Sequence, residues 1–194
     1  MTRTATVTRT TKETSVEITL DLDGTGTTSV STGVGFYDHL LTSFGHHGMF
    51  DLAIATTGDI HIDDHHTVED TALVLGEAFA TALGDRSGIS RFGDATVPMD
   101  EARATAVVDI SGRPYSVFDL PFRQPMLGNL ATQNIAHALE AFTRTAGITL
   151  HLTAVGVNDH HVAEAAFKAL ARAMRAAVSV DPRRSGVAST KGVL

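Results

Sequence analysis

Asp64-His65-His66-Thr67-Val68-Glu69 recurs as Asp159-His160-His161-Val162-Ala163-Glu164, and each copy opens a long segment with helical periodicity. His65 and His160 stand 95 residues apart in a chain of 194, so the repeat spans about half the sequence. A single histidine precedes each copy: His39 in Phe36-Tyr-Asp-His39-Leu-Leu-Thr-Ser-Phe44, and His137 in Asn134-Ile-Ala-His137-Ala-Leu-Glu-Ala-Phe142. In both, a phenylalanine follows five residues later. Further upstream, residues 14–22 and 103–110 alternate apolar and polar side chains or run β-branched, the pattern of strands. Each half therefore reads as strand, strand, strand, helix, strand, helix, with glycine turns at Asp23-Gly-Thr-Gly26 and Ser111-Gly-Arg-Pro114. The expected fold is α+β and internally duplicated, with two similar halves, each a mixed four-stranded sheet packed on two helices. The halves are assigned to residues 1–90 and 91–184 of one structural domain, followed by a tail, 185–194.

The helices after the two motifs carry matching apolar stripes. Val68, Ala72, Leu75, Phe79 and Leu83 recur at helical spacing, as do Ala163, Phe167, Leu170, Met174 and Val178. Asp64 and Asp159 are the expected N-caps, which puts each His-His pair in a first turn, where the helix dipole favours neutral imidazole. Neutral imidazole is the form that binds metal.

Composition narrows the function classes. Fifteen basic against 22 acidic residues give a net charge of −7, which excludes a broad nucleic-acid-binding surface but leaves room for a local phosphate pocket. The first residues lack the apolar stretch of a signal peptide, and no run approaches the roughly 18 apolar residues of a membrane span. A soluble, unprocessed, cytoplasmic protein is expected, with neither membrane nor nucleic acid as partner. With no cysteine there is no disulfide, thiolate site or cysteine nucleophile, so a bound metal must rest on nitrogen and oxygen. Ten histidines beside no tryptophan and two tyrosines is the unusual entry in this composition.

In a helix, His65 and Glu69 share one face, as do His160 and Glu164, so each pair offers a nitrogen and a carboxylate to one ion. His66 and His161 point about 100° away from their neighbours and suit a second ion. Duplication then suggests reciprocity: one ion takes His65, Glu69 and His161, the other His160, Glu164 and His66. His39 and His137 are the additional ligands. A divalent ion with six-coordinate preference, such as Mn2+, fits this nitrogen and oxygen set, with Zn2+, Fe2+ and Co2+ also admissible. His46, His61 and His151 have no twins and are expected on strand or loop surfaces. Asp21-Leu-Asp23-Gly-Thr25 matches the DxDGT signature of haloacid-dehalogenase phosphatases, but residues 27–32 read as a hairpin return strand instead of the start of a βα unit, so this segment is assigned as a turn.

These residues resemble imidazoleglycerol-phosphate dehydratase of histidine biosynthesis. The resemblance runs through Arg9-Thr-Thr-Lys-Glu-Thr14, Asp23-Gly-Thr-Gly26, Gly35-Phe-Tyr-Asp-His39, Asp63-Asp-His-His-Thr-Val-Glu-Asp70, Ser111-Gly-Arg-Pro114, His160-His-Val-Ala-Glu-Ala-Ala-Phe-Lys168 and Ser189-Thr-Lys-Gly-Val-Leu194. It implies two fused ββ-β-α-β-α halves, two Mn2+ ions per active site held between neighbouring subunits, and a homo-oligomer of twenty-four chains. A monofunctional enzyme without a phosphatase domain is expected. The implied reaction is dehydration of D-erythro-imidazole glycerol phosphate to imidazole acetol phosphate, in which the ring, held by two ions, serves as the electron source because no carbonyl activates either carbon.

For acid and base work the resemblance nominates Glu13, with a metal-bound water or Glu164 as alternatives. For substrate it nominates Glu13, His47, Arg91, Asp100, Arg113, Lys168, Ser189 and Lys191. It also makes the tail a lid over the active site. Lys168 has independent support, since it lies four residues beyond Glu164 on one helix. Thr42-Ser43 departs from the Asp-Gln that many members carry, which leaves a substrate contact to water or another group. The competing functions are a dinuclear metallohydrolase acting on a phosphate ester and a metal-storage protein.

Overall fold

Alternation builds the first sheet. In strand β2 (Thr14–Asp21), Val16, Ile18 and Leu20 are buried while Ser15, Glu17 and Thr19 face outward. The computed structural model describes residues 2–194, and in it β2 pairs antiparallel on one side with β1 (Thr4–Thr10) and on the other with β4 (Asp51–Gly58). The short β3 (Thr28–Ser31) lies at the edge, parallel to β4, giving the order β1-β2-β4-β3. Residues 27–32 are thus not a hairpin return strand. β4 covers β2 along its whole length, from Thr14↔Gly58 to Asp21↔Asp51, and leaves β3 no edge of β2 to join. The chain instead passes from β3 through helix α1 (Gly35–Gly48) into β4. The DxDGT segment is the expected turn: the Asp51 carboxylate accepts the backbone N–H groups of Thr25 and Thr27, at 2.8 and 2.9 Å.

The second half repeats this plan. After helix α2 (His65–Leu83) come β5 (Phe92–Met99), β6 (Ala102–Asp109) and β7 (Tyr115–Asp119), then helix α3 (Thr132–Ala146), β10 (Thr149–Val155) and helix α4 (Asp159–Val178). Its sheet runs β5-β6-β10-β7, with β7 parallel to β10, the same topology as the first. A two-stranded ribbon, β8 (Met126–Leu127) with β9 (Leu130–Ala131), is inserted before α3 and has no counterpart in the first half.

The two sheets enclose a layer of four helices, and these pair across the halves: α1 packs on α4 and α2 on α3. Phe44, Phe79 and Phe142 meet at its centre, with ring centroids 5.6 to 6.2 Å apart, and Phe50 adds a fourth ring. The phenylalanine five residues beyond each lone histidine is therefore a core anchor. α2 and α3 approach so closely that a Cβ on Gly76 would come within 2.1 Å of Thr145 Oγ1, and that hydroxyl donates to Leu73 O at 2.8 Å. Every residue of both predicted stripes is buried. α4 buries more than a stripe, because its alanines sit between the second sheet on one side and α1 on the other.

Asp64 stands at the N-cap position of α2 but its side chain does not cap, and Asp159 is the first residue of α4 and not its cap. The side chains that accept the His65 and His160 N–H groups belong to Asp63, at 2.9 Å, and Asn158, at 3.0 Å. Asp64 reaches across to the N–H of Ala131, and Asp159 to those of Arg123 and Gln124, so both are buried ties to the connection that leads into α3. Among the described residues no helix is long and apolar enough to cross a membrane.

Candidate active site

Helix pairing decides which histidines meet. Because α1 lies on α4, His39 reaches the second motif, where His39 Nε2 and His160 Nε2 both lie 2.8 Å from Glu164 Oε1. Because α2 lies on α3, His137 reaches the first motif: its Nε2 is 3.5 Å from Glu69 Oε2, and His65 Nε2 is 3.7 Å from the same oxygen. Two sets thus form, His39-His160-Glu164 and His65-Glu69-His137, each with its three ligand atoms within 4.8 Å of one another. Both use two imidazoles and one carboxylate, and both draw on both halves.

The reciprocity expected from the duplication exists, but different residues carry it. Within one chain the crossing ligands are His39 and His137. His66 joins neither set and lies instead with Asp59 and Glu13, while His161 lies with Glu101 and Asp100. The reason is the 100° step around the helix, which turns both rings away from the helix pair that builds the clusters.

These donor sets fit a nitrogen- and oxygen-preferring ion. His137 Nε2 is buried and has no hydrogen-bond partner among the described residues, an expensive arrangement unless something else uses its lone pair. Burial alone would raise the Glu164 carboxyl, but the Lys168 ammonium, 2.6 Å from Oε2, together with His39 and His160, brings it down to about 2. It is therefore an anion at any physiological pH. His65 is oriented by the side chain of Asn134, with Nδ1 3.2 Å from Oδ1, and stacks on His137 at 4.7 Å.

The nominated substrate residues fall into two groups. Lys168 stands beside Glu164; His47, pressed towards neutrality first by burial and then by Lys168, His46 and Arg172, is close to the same set. Arg91, Arg113, Ser189 and Lys191 belong to the other end of the second half. There the Arg91 guanidinium grips Asp109 at 2.7 and 3.0 Å and donates to Ala188 O at 2.7 Å, so it binds the tail. The tail runs along the α2–β5 connection, pairing Val187 with Ser87, and its end lies by Gly112. In the single chain it packs there, away from both clusters. Glu13 is exposed and 3.8 Å from His66, in the β1–β2 turn; Asp100 occupies the β5–β6 turn. Ser43 is buried in α1 and its hydroxyl has no partner among the described residues, so it does not face an open site.

Asp59, Glu101 and Asn134 are missing from the sequence reading. A signal for Glu101 was present: β5 begins 88 residues after β1, and the same step carries Glu13 onto Glu101. Asp59 and Asn134 have no like residue at the matching positions of the other half, Ala154 and Phe36.

Comparison with known proteins gives the family. A family profile described as imidazoleglycerol-phosphate dehydratase matches residues 32–174. The chain is 58% identical, over 100% of both chains, to the protein of that name from Acidiphilium cryptum. It is 55% identical to the one from Haloarcula marismortui, covering 99% of this chain and 98% of that one. It superposes on the crystal structure of the Pyrococcus furiosus enzyme with TM-score 0.84 and 34% identity, over 97% of this chain and 100% of the other. The Staphylococcus aureus enzyme gives 0.83 at 34% identity, over 92% and 99%. The chain belongs to the imidazoleglycerol-phosphate dehydratase family.

Proposed function

We propose that this hydro-lyase converts D-erythro-imidazole glycerol phosphate to imidazole acetol phosphate in the cytoplasm, as a homo-oligomer of twenty-four chains with two Mn2+ ions per active site. The observation that carries the metal reading is the convergence of His39, His160 and Glu164, and of His65, Glu69 and His137, each within 4.8 Å. Family membership weighs against the hydrolase and storage readings.

His39, His160 and Glu164 would hold one ion and His65, Glu69 and His137 the other, with His66 and His161 of neighbouring copies completing the sets. When bound, the two ions polarise the imidazole ring so that its electrons assist departure of the adjacent hydroxyl. Lys168 neutralises the outer oxygen of Glu164 and keeps that carboxylate ionised. Glu13, exposed beside His66, is free to take the proton from the neighbouring carbon. Glu164 is the weaker candidate for that step, since its oxygens are engaged by two imidazoles and an ammonium. Arg91, Arg113, Ser189 and Lys191, gathered at the tail, suit the phosphate once a neighbouring copy brings them to the metal sets.

The test is Glu13→Gln. Elemental analysis should still find about two Mn2+ per chain, while kcat for ketone formation falls about 10^2- to 10^4-fold. Unchanged turnover would remove Glu13 from the reaction.

A further inference from the structure

Each half turns one motif histidine out of its own cluster, and in both halves a carboxylate meets the Nδ1 of that ring. His66 Nδ1 lies 3.0 Å from Asp59 Oδ2 and 3.3 Å from Oδ1; His161 Nδ1 lies 2.7 Å from Glu101 Oε2. A carboxylate at Nδ1 keeps the ring proton there, and in the neutral ring the lone pair is then on Nε2. Neither Nε2 makes a hydrogen bond within the described chain, and the nearest acid to His161 Nε2 is Asp100, at 3.8 Å.

The two carboxylates arrive by different routes. The β4–α2 connection, residues 59–64, has room for Asp59; the β10–α4 connection is only residues 156–158, and there the β5–β6 turn supplies Glu101 instead. The same ring geometry is thus produced twice although the loops that could have copied it differ. Duplication accounts for an acid near each ring, since Glu13, the twin of Glu101, stands 3.8 Å from His66 Nδ1, but not for the carboxylate that bonds the first ring, which is Asp59 at 3.0 Å; a shared requirement on the two rings does account for it.

We propose that Asp59 and Glu101 are positioning residues for the two metal centres, fixing the tautomer and direction of His66 and His161 so that each offers Nε2 to the cluster of a neighbouring copy. This inference rests on the metal reading above. Asp59 and Glu101 touch neither ion nor substrate; they act through the imidazoles they hold. Asp59 bonds only the His66 ring among the side-chain contacts of the described chain. Glu101 also accepts the N–H groups of Val157 and Asn158, at 3.1 and 2.7 Å, so its removal loosens the entry to α4 as well. D59A is therefore the cleaner variant.

The experiment titrates Mn2+ into the metal-stripped full-length protein by competition with a chelator. Wild type is expected to take up two ions per chain. D59A should retain one ion at wild-type affinity and bind the other about 10- to 100-fold more weakly. D59N, whose amide oxygen still accepts the Nδ1 proton, should recover most of that loss, whereas D59L, similar in shape but without an acceptor, should not. E101A should weaken a single ion in the same way, E101Q should restore it, and D59A/E101A should weaken both; the Glu101 pair supplies the readout if D59A does not fold. Isotherms of D59A and E101A that superpose on wild type overturn the proposal, as does a D59N as weak as D59A. A wild-type protein that takes up no Mn2+ defeats the metal reading itself, a result separable from either.

Discussion

The two clusters use the same set of two imidazoles and one carboxylate and differ in how tightly the chain holds them. Glu164 is buried, takes both imidazoles on one oxygen at 2.8 Å and has Lys168 from its own helix on the other. Glu69 is more open, its imidazoles stand 3.5 and 3.7 Å away, and its cation is Arg144 of α3, itself 62% exposed. The twin of Lys168 in α2 is Leu73, which packs against the core, so the first half has no internal cation at that position. Duplication has kept the ligands while the neutralising charge has been supplied afresh on each side. One set is preorganised within the chain, and the other is held more loosely.

The sharpest way to break this comparison is to remove each carboxylate while keeping its volume. Glu164→Gln and Glu69→Gln should both reduce kcat by about 10^3-fold or more, since under the proposed function each would delete the anionic ligand of an ion worth several kcal/mol to the transition state. Steady-state assays in excess Mn2+ decide it. If Glu69→Gln keeps wild-type turnover, the open centre is dispensable and the two sites are not functional equals.

What the sequence made legible follows from locality. The i, i+4 pairs His65/Glu69 and His160/Glu164, the order of strands and helices, and the buried stripes of α2 and α4 are set within a few residues of chain. The pairing of His39 with α4 and of His137 with α3 is set by which helices pack together, and nothing near either histidine encodes it. Asp64 and Asp159 read as caps because an aspartate at a helix start usually is one; their carboxylates instead reach 67 and 36 residues along the chain, to Ala131 and Arg123. β3 departs from the hairpin pattern for a related reason: a short strand after a turn most often returns beside its predecessor, but here β4 fills that edge.

A second comparison lies in the core, where Phe79 of α2 corresponds to Met174 of α4. Phe79 packs edge-on against Phe44, Phe50 and Phe142, with centroids 5.8, 5.1 and 5.6 Å away. Phe79→Ala should cost about 3–5 kcal/mol, and more than Met174→Ala, because edge-to-face pairs add about 0.5–1.5 kcal/mol beyond buried area. Denaturant midpoints of the metal-free protein test the order. An equal loss from both would mean that the four rings contribute no more than their surface.

Lys168→Met tests the tighter centre through its titration. Glu164 ionises at about 2 in the folded chain against 4.5 ordinarily, so its contribution to stability is complete above pH 4.5 and is lost as pH falls towards 2. Without the ammonium, burial, which opposes ionisation, is countered only by His39 and His160. The acid-induced loss should then begin at a higher pH than in wild type, by circular dichroism of the metal-free protein. Coincident acid profiles would mean that Lys168 does not set the charge state of Glu164.

The smallest effect is expected from Arg144→Met. Its guanidinium lies 3.5 Å from Glu69 Oε1, where the Lys168 ammonium lies 2.6 Å from Glu164 Oε2, and an ion pair gains little when one partner is well solvated and its long side chain must be ordered to make it. The cost in stability should be about 0–1 kcal/mol, read from the same denaturant midpoints, and Mn2+ affinity should change less than in Lys168→Met. The contrast is informative because each cation faces the carboxylate oxygen that the imidazoles leave free, one from the carboxylate's own helix and one from its neighbour. If Arg144→Met instead matches Lys168→Met, exposure is not what separates the centres, and Glu69 must be buried against a neighbouring copy in the assembled enzyme.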